Sequence, residues 1–135
     1  MTDNRINFYF RHLGIACSDI TECKNFVKSI LPVTAESEII FDEKQNASLC
    51  LLTLDNGFNI ELISGPMVAN LVKKGVAYYH ICYGVSNIDE ALLRLKKGHK
   101  VTVISEIKPS QLFAGARVVF VYTPIGIIEL LEEKL

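Results

Sequence analysis

Two carboxylates stand where strands are expected: Glu61 in "FNIELI" (58–63) and Glu129 in "GIIELL" (126–131). Leaving a bare carboxylate among buried aliphatics costs several kcal/mol even after relaxation, so each needs a cation, a proton or a metal. Shifting the chain by 68 positions lays Glu61 on Glu129 and His12 on His80 without a gap. The same shift brings Ser18, Ile20 and Glu22 onto Ser86, Ile88 and Glu90, and "VTAESEI" (33–39) onto "VTVISEI" (101–107). Self-similarity at a fixed period marks a duplicated supersecondary unit. A lone strand histidine or glutamate is usually a hydrogen-bonded or salt-bridged structural residue. Four such residues at matching offsets form a donor set instead. Two imidazoles and two carboxylates suit Co, Ni, Mn, Fe or Zn, and in an octahedral site they leave two positions for water or substrate.

Each half must contain elements that turn these residues toward one another, and the patterning predicts a strand, a helix and three further strands. In "RHLGIAC" (11–17), Leu13, Ile15 and Cys17 alternate with His12, Gly14 and Ala16; in "YHICYGV" (79–85), Ile81, Tyr83 and Val85 alternate with His80, Cys82 and Gly84. Small neighbours beside each histidine predict open space on that face. A helix follows, opened by Asp19 and Glu22 in one half and by Asn87 and Glu90 in the other, at the spacing of a capping box. Ile20, Cys23, Val27 and Ile30 form an apolar stripe, as do Ile88, Ala91, Leu92 and Leu95. The remaining strands are expected at about 33–41, 48–54 and 58–63, and at about 101–107, 116–122 and 126–131, with hairpin turns at "DNG" (55–57) and "TPIG" (123–126). Parity then sends Phe58, Ile60 and Leu62 toward the helix and Glu61 toward the histidine face, and treats Ile128, Leu130 and Glu129 alike.

The chain of 135 residues reads as one α+β domain, 1–135, with a module at 8–63, a connector at 64–77 containing a short helix, and a module at 78–135. Half the residues are hydrophobic and the formal net charge is −1, without long runs of either sign, so neither nucleic acid nor an anionic membrane is an expected partner. No apolar run approaches the ~18 residues of a membrane span. Cys17, Cys23, Cys50 and Cys82 contain no C-x-x-C pair, and "MTDNRINFYFRH" carries charges where a secretory signal needs an apolar core, so a reducing, cytoplasmic setting is expected with the cysteines as core fillers. His99 has no histidine counterpart and is expected on the surface.

These residues resemble the vicinal oxygen chelate superfamily (glyoxalases, bleomycin resistance proteins and dioxygenases), and the likeness spans nearly the whole chain. "HLGIACSDI", "ANLVKKG", "YHICYGVSNIDEALLRLKKG", "GARVVFV" and "GIIELLE" look most like methylmalonyl-CoA epimerases and nearby glyoxalase-like proteins. The resemblance implies two tandem βαβββ modules forming a curved mixed sheet with a metal-bearing cleft. Carried over by position, its metal ligands fall on His12, Glu61, His80 and Glu129. It further implies an isomerase that removes a proton next to a carbonyl of an acyl-CoA, with Glu129 and Glu43 of "DEKQNASLCLL" as candidate acid and base, and a homodimer. Glu61 stands where epimerases often have Gln and glyoxalase I has Glu, so glyoxalase-type turnover of a thiol adduct is the alternative enzyme. A drug-sequestering protein is the non-catalytic alternative, and the full ligand set argues against it. Arg117, in "GARVVFV", is a candidate contact for CoA phosphates.

Overall fold

A computed structural model describes residues 7–134. The first module comprises β1 (Tyr9–Cys17), α1 (Ile20–Ile30), β2 (Val33–Glu36), β3 (Ile40–Asp42), β4 (Ala47–Leu54) and β5 (Asn59–Ser64). A 3-10 turn (Pro66–Val68) and α2 (Ala69–Lys73) lead to the second, with β6 (Tyr78–Val85), α3 (Ile88–Lys96), β7 (Thr102–Val103), β8 (Lys108–Ser110), β9 (Ala116–Thr123) and β10 (Gly126–Glu132). All strands join one sheet in the order β2-β4-β5-β1-β6-β10-β9-β7, with β3 and β8 as extra partners of β4 and β9. This is the vicinal oxygen chelate fold. β1 and β6 run antiparallel at its centre, and each is flanked by a parallel strand of its own module, β5 or β10.

Both helices start as their caps dictate. The Asp19 side chain accepts from Glu22 N–H and the Asn87 side chain accepts from Glu90 N–H, satisfying donors that have no partner within the helix. Ile20 of α1 packs on Cys17, Cys50, Leu52 and Leu62; Ile88 and Ala91 of α3 pack on Val85, Val119, Val121 and Leu130. Fully burying one such aliphatic side chain stabilises the fold by roughly 1.5–3 kcal/mol. Ile30, expected in the α1 stripe, is instead 59% exposed at the last turn.

The expected strands at 33–41 and 101–107 are each interrupted, and both breaks have one cause. Ser37 Oγ accepts from Leu51 N–H, and Ser105 Oγ accepts from Phe120 N–H. Leu51 lies opposite Glu61 and Phe120 opposite Glu129, so the two serines act at equivalent points of the repeat. A hydroxyl takes over the acceptor role of the ladder carbonyl, the chain swings away, and the remainder pairs again further along as β3 or β8. Alternation of side chains alone carries no sign of this exchange.

The histidine face is also less open than the small residues predict. Ala16, Leu49, Ile63, Tyr79 and Phe120 are buried there with Val68, and Met67, Leu71 and Val72 of the connector pack onto them. The connector therefore covers one end of the concave face.

Candidate metal centre

Two β-bulges bring the site together. Phe10 and His12 face the consecutive residues Tyr83 and Cys82, leaving Arg11 as the extra residue; His80 and Tyr78 face the consecutive residues Gly14 and Ile15, leaving Tyr79 as the extra residue. Arg11 and Tyr79 are related by the repeat, and each immediately precedes a histidine. A bulge re-aims the side chains beside it. In the second module it places Tyr79 on the concave face with His80, the two rings 4.7 Å apart and edge to face.

His12 lies opposite Cys82 and His80 opposite Gly14, which are again equivalent positions. A Cβ built on Gly14 would meet the His80 ring at 2.4 to 2.8 Å. The space left by glycine is thus the seat of the partner histidine, and close approach rather than backbone conformation requires it.

The four expected ligands converge. His12 Nε2 lies 3.0 Å from His80 Nε2. Glu129 Oε1 is 3.1 Å from both nitrogens, and Glu61 Oε1 is 3.5 Å from both. All four residues are buried, and their donor atoms lie within 4.8 Å of one another. With metal–ligand bonds of about 2.1 Å, neighbouring donors sit roughly 3.0 Å apart around an octahedral ion and 3.4 Å around a tetrahedral one. The observed spacings match. The directions match as well: Glu129 Oε1 is buried close to two imidazoles yet has no hydrogen-bond partner among the described residues. The donors crowd around a common point, with the two imidazole nitrogens at hydrogen-bond distance from each other, so the residues present fit a divalent ion.

Electrostatics supports this reading. Burial alone would lower the His12 pKa, but the Glu61 carboxylate, with Cys82 and the Glu129 carboxylate also beside the ring, outweighs it and holds the imidazole well above its ordinary value. Burial would raise Glu129, yet His12 and His80 hold its carboxyl well below the usual range. The two acids draw positive charge into the site, which a divalent cation supplies more fully than a proton. Around the cluster, Phe113 stacks on His12 at 5.5 Å and Phe120 meets His80 edge to face at 5.3 Å. These rings lower the local polarity and strengthen every charge interaction inside.

Glu43 does not join the four. It is exposed on the turn after β3 and lines a cavity of about 480 Å³ between that turn and residues 109–115. Its neighbour Asp42 points inward, a residue the sequence reading missed. Asp42 accepts from Lys44 N–H, Gln45 N–H, the Gln45 amide and Gln111 N–H, which ties the tips of the two β-arms together. An isolated Asp next to an equally acidic Glu gave no signal beyond strand parity. Arg117 is paired with Glu132 at 3.2 Å and lies 3.9 Å from Asp89, on the α3 side of the sheet. His99 is exposed, as expected.

A family model described as the Glyoxalase/Bleomycin resistance protein/Dioxygenase superfamily matches residues 11–120, and the chain belongs to that superfamily. Within it, the structure is similar to methylmalonyl-CoA epimerase from Mycobacterium tuberculosis, with a TM-score of 0.74 and 20% identity over 100% of this chain and 94% of that one. A Streptomyces coelicolor methylmalonyl-CoA epimerase variant in complex with 2-nitronate-propionyl-CoA gives 0.69 and 20%, covering 97% of this chain and 100% of that one. A hypothetical protein from Bacillus halodurans gives 0.71 and 24%, covering 96% of each chain. No curated protein matches the chain in sequence. Among the described residues no helix is long and apolar enough to cross a membrane.

Proposed function

We propose that this protein is a divalent-metal-dependent epimerase that removes and returns a proton α to the carbonyl of a short acyl-CoA, with methylmalonyl-CoA as the leading substrate. The observation that carries the reading is the convergence of His12, His80, Glu61 and Glu129 on one buried point, with Glu129 Oε1 left without a hydrogen bond. The structural likeness to epimerases supports the choice of reaction.

A thioester α-proton is too weakly acidic for a side-chain base at neutral pH unless the enolate is stabilised as it forms. A bound divalent ion supplies that stabilisation as a Lewis acid. The protein's own residues do the rest. His12 and His80, fixed by the bulges, orient the ligand set. Phe113 and Phe120 pack against the two imidazole rings and hold them in place. Glu129 is the candidate base, accepting the proton at a carboxylate oxygen. Glu43 is the second candidate, returning a proton on the other face; Asp42 is committed to four hydrogen bonds, whereas Glu43 is an exposed carboxylate on that turn. A homodimer in the cytoplasm completes the proposal.

The test is solvent-deuterium exchange at Cα of methylmalonyl-CoA with Co, Ni, Mn, Fe or Zn added singly. Exchange should appear with at least one ion and vanish on chelation. Absence of exchange with every ion would end the epimerase reading. Glu61, the residue glyoxalase I has at this position, favours one alternative: turnover of the methylglyoxal–glutathione adduct under the same conditions would support it.

A further inference from the structure

We infer that Arg11 is the seat for a carboxylate of the substrate, and that Glu133 occupies this seat as an internal stand-in until substrate displaces it. The inference rests on the reading of the site as one for acidic acyl-CoA esters. A cavity of about 200 Å³ adjoins the metal cluster and is lined by Arg11, His12, Asn59, Phe113, Leu131 and Glu133. His12 thus links the donor cluster directly to this mouth. Arg11 Nε donates to Glu133 Oε1. The Glu133 backbone continues the β-ladder through a bond from its N–H to Val85 O, which holds the side chain over Gly84. A Cβ at Gly84 would meet both the Glu133 carboxylate and the Arg11 guanidinium. The glycine therefore leaves the room in which the pair sits.

Arg11 is held where it is by the bulge and by Asn59, whose amide donates to Arg11 O and whose own oxygen accepts from Thr53 Oγ1. A guanidinium offers a planar fork that matches a carboxylate, so the group it now holds has the chemistry of the ligand it would take. The Arg11 side chain is 41% exposed and that of Glu133 is 25% exposed. Pairs so exposed contribute little to stability, and exchange of one carboxylate for another there costs little. A substrate carboxylate has two oxygens, and the one directed away from the metal cluster is the one Arg11 would hold.

Malonyl-CoA and acetyl-CoA differ by one carboxylate and are the probes. Their binding to the metal-loaded protein is measured by calorimetry, with free malonate as a third ligand. The wild type should prefer malonyl-CoA over acetyl-CoA. Arg11→Gln should reduce that preference by about tenfold or more, the loss expected for one charged hydrogen-bonding partner, while Arg11→Lys recovers part of it. Glu133→Gln should tighten malonyl-CoA and malonate by several-fold and leave acetyl-CoA within twofold. Circular dichroism confirms that each variant is folded. An unchanged malonyl-to-acetyl ratio in folded Arg11→Gln overturns the inference, as does carboxylate-independent binding in both the wild type and Glu133→Gln. The two readings fail separately: lack of α-proton exchange with an Arg11-dependent carboxylate preference sinks only the reaction, and exchange with no such preference sinks only the seat.

Discussion

At one end of the cleft Tyr79, Phe120 and Ile127 pack beneath the connector; at the other, the strand pairing puts Arg11, Leu51 and Asn59 in the corresponding positions, and a cavity opens. The backbone plan is shared, down to the bulge before each histidine and the serine that breaks each arm. The difference lies in the side chains and in what the connector covers. Met67, Val68, Leu71 and Val72 turn the Tyr79 end into core, whereas Glu133 and Arg11 leave the other end polar. Duplication thus supplies the symmetric His–Glu cluster, and divergence of the flanking residues gives the cleft one packed end and one end with an open, polar cavity.

The two modules differ first at their carboxylates. Glu129 Oε1 is nearer both imidazoles than Glu61 Oε1, 3.1 against 3.5 Å, so the two modules place their carboxylates unequally. Glu129→Ala should weaken metal binding by two orders of magnitude or more, on the order of 3 kcal/mol, and abolish α-proton exchange. Glu61→Ala should cost less in a chelator-competition titration; equal losses would remove the distinction. Next come the bulge residues. Tyr79→Ala empties a buried aromatic site and should destabilise the protein by about 3 kcal/mol in urea unfolding. Arg11→Ala should cost less than about 1 kcal/mol, because both partners of its ion pair are partly in solvent. Comparable losses would refute the contrast between core end and ligand end.

Gly14→Ala forces a methyl group into the His80 ring and should destabilise by about 1–3 kcal/mol while weakening metal binding. Cys82→Ala, at the equivalent place, should leave metal binding within a few-fold. The smallest effect belongs to the arms. Glu36 is bonded to Lys24 and Lys28, which hold its carboxyl down at about 2, while the corresponding Ile104 has no charge to pair. A depressed carboxylate stabilises the fold above its unfolded value near 4.5 and loses that contribution as pH falls toward 2. Glu36→Gln should therefore lower the Tm slightly at neutral pH, with the difference from wild type closing between pH 4.5 and pH 2.

Much of this architecture was legible in the sequence because local rules and the repeat agree. His12, His80, Glu61 and Glu129 were found from offset and parity, and the helix starts from Asp19 and Asn87. Bulges were not legible: Arg11 and Tyr79 become extra residues only through pairing between β1 and β6, distant in sequence. The breaks at Ser37 and Ser105 depend on which backbone N–H each hydroxyl meets across the sheet. The plugging of one cleft end depends on where the connector lands, which periodicity does not encode. Glu43 and Asp42 differ in orientation by a single step of the pleat.

The serine breaks bear on the borders of the sheet. Its outermost strands, β2 and β7, are only 4 and 2 residues long, and the chain leaves the ladder just after each. A long straight border would offer a row of vacant peptide groups to any passing strand. By breaking each border into two short pieces, β2 with β3 and β7 with β8, two hydroxyls leave a chain half made of hydrophobic residues without a long straight edge of the kind that recruits further strands.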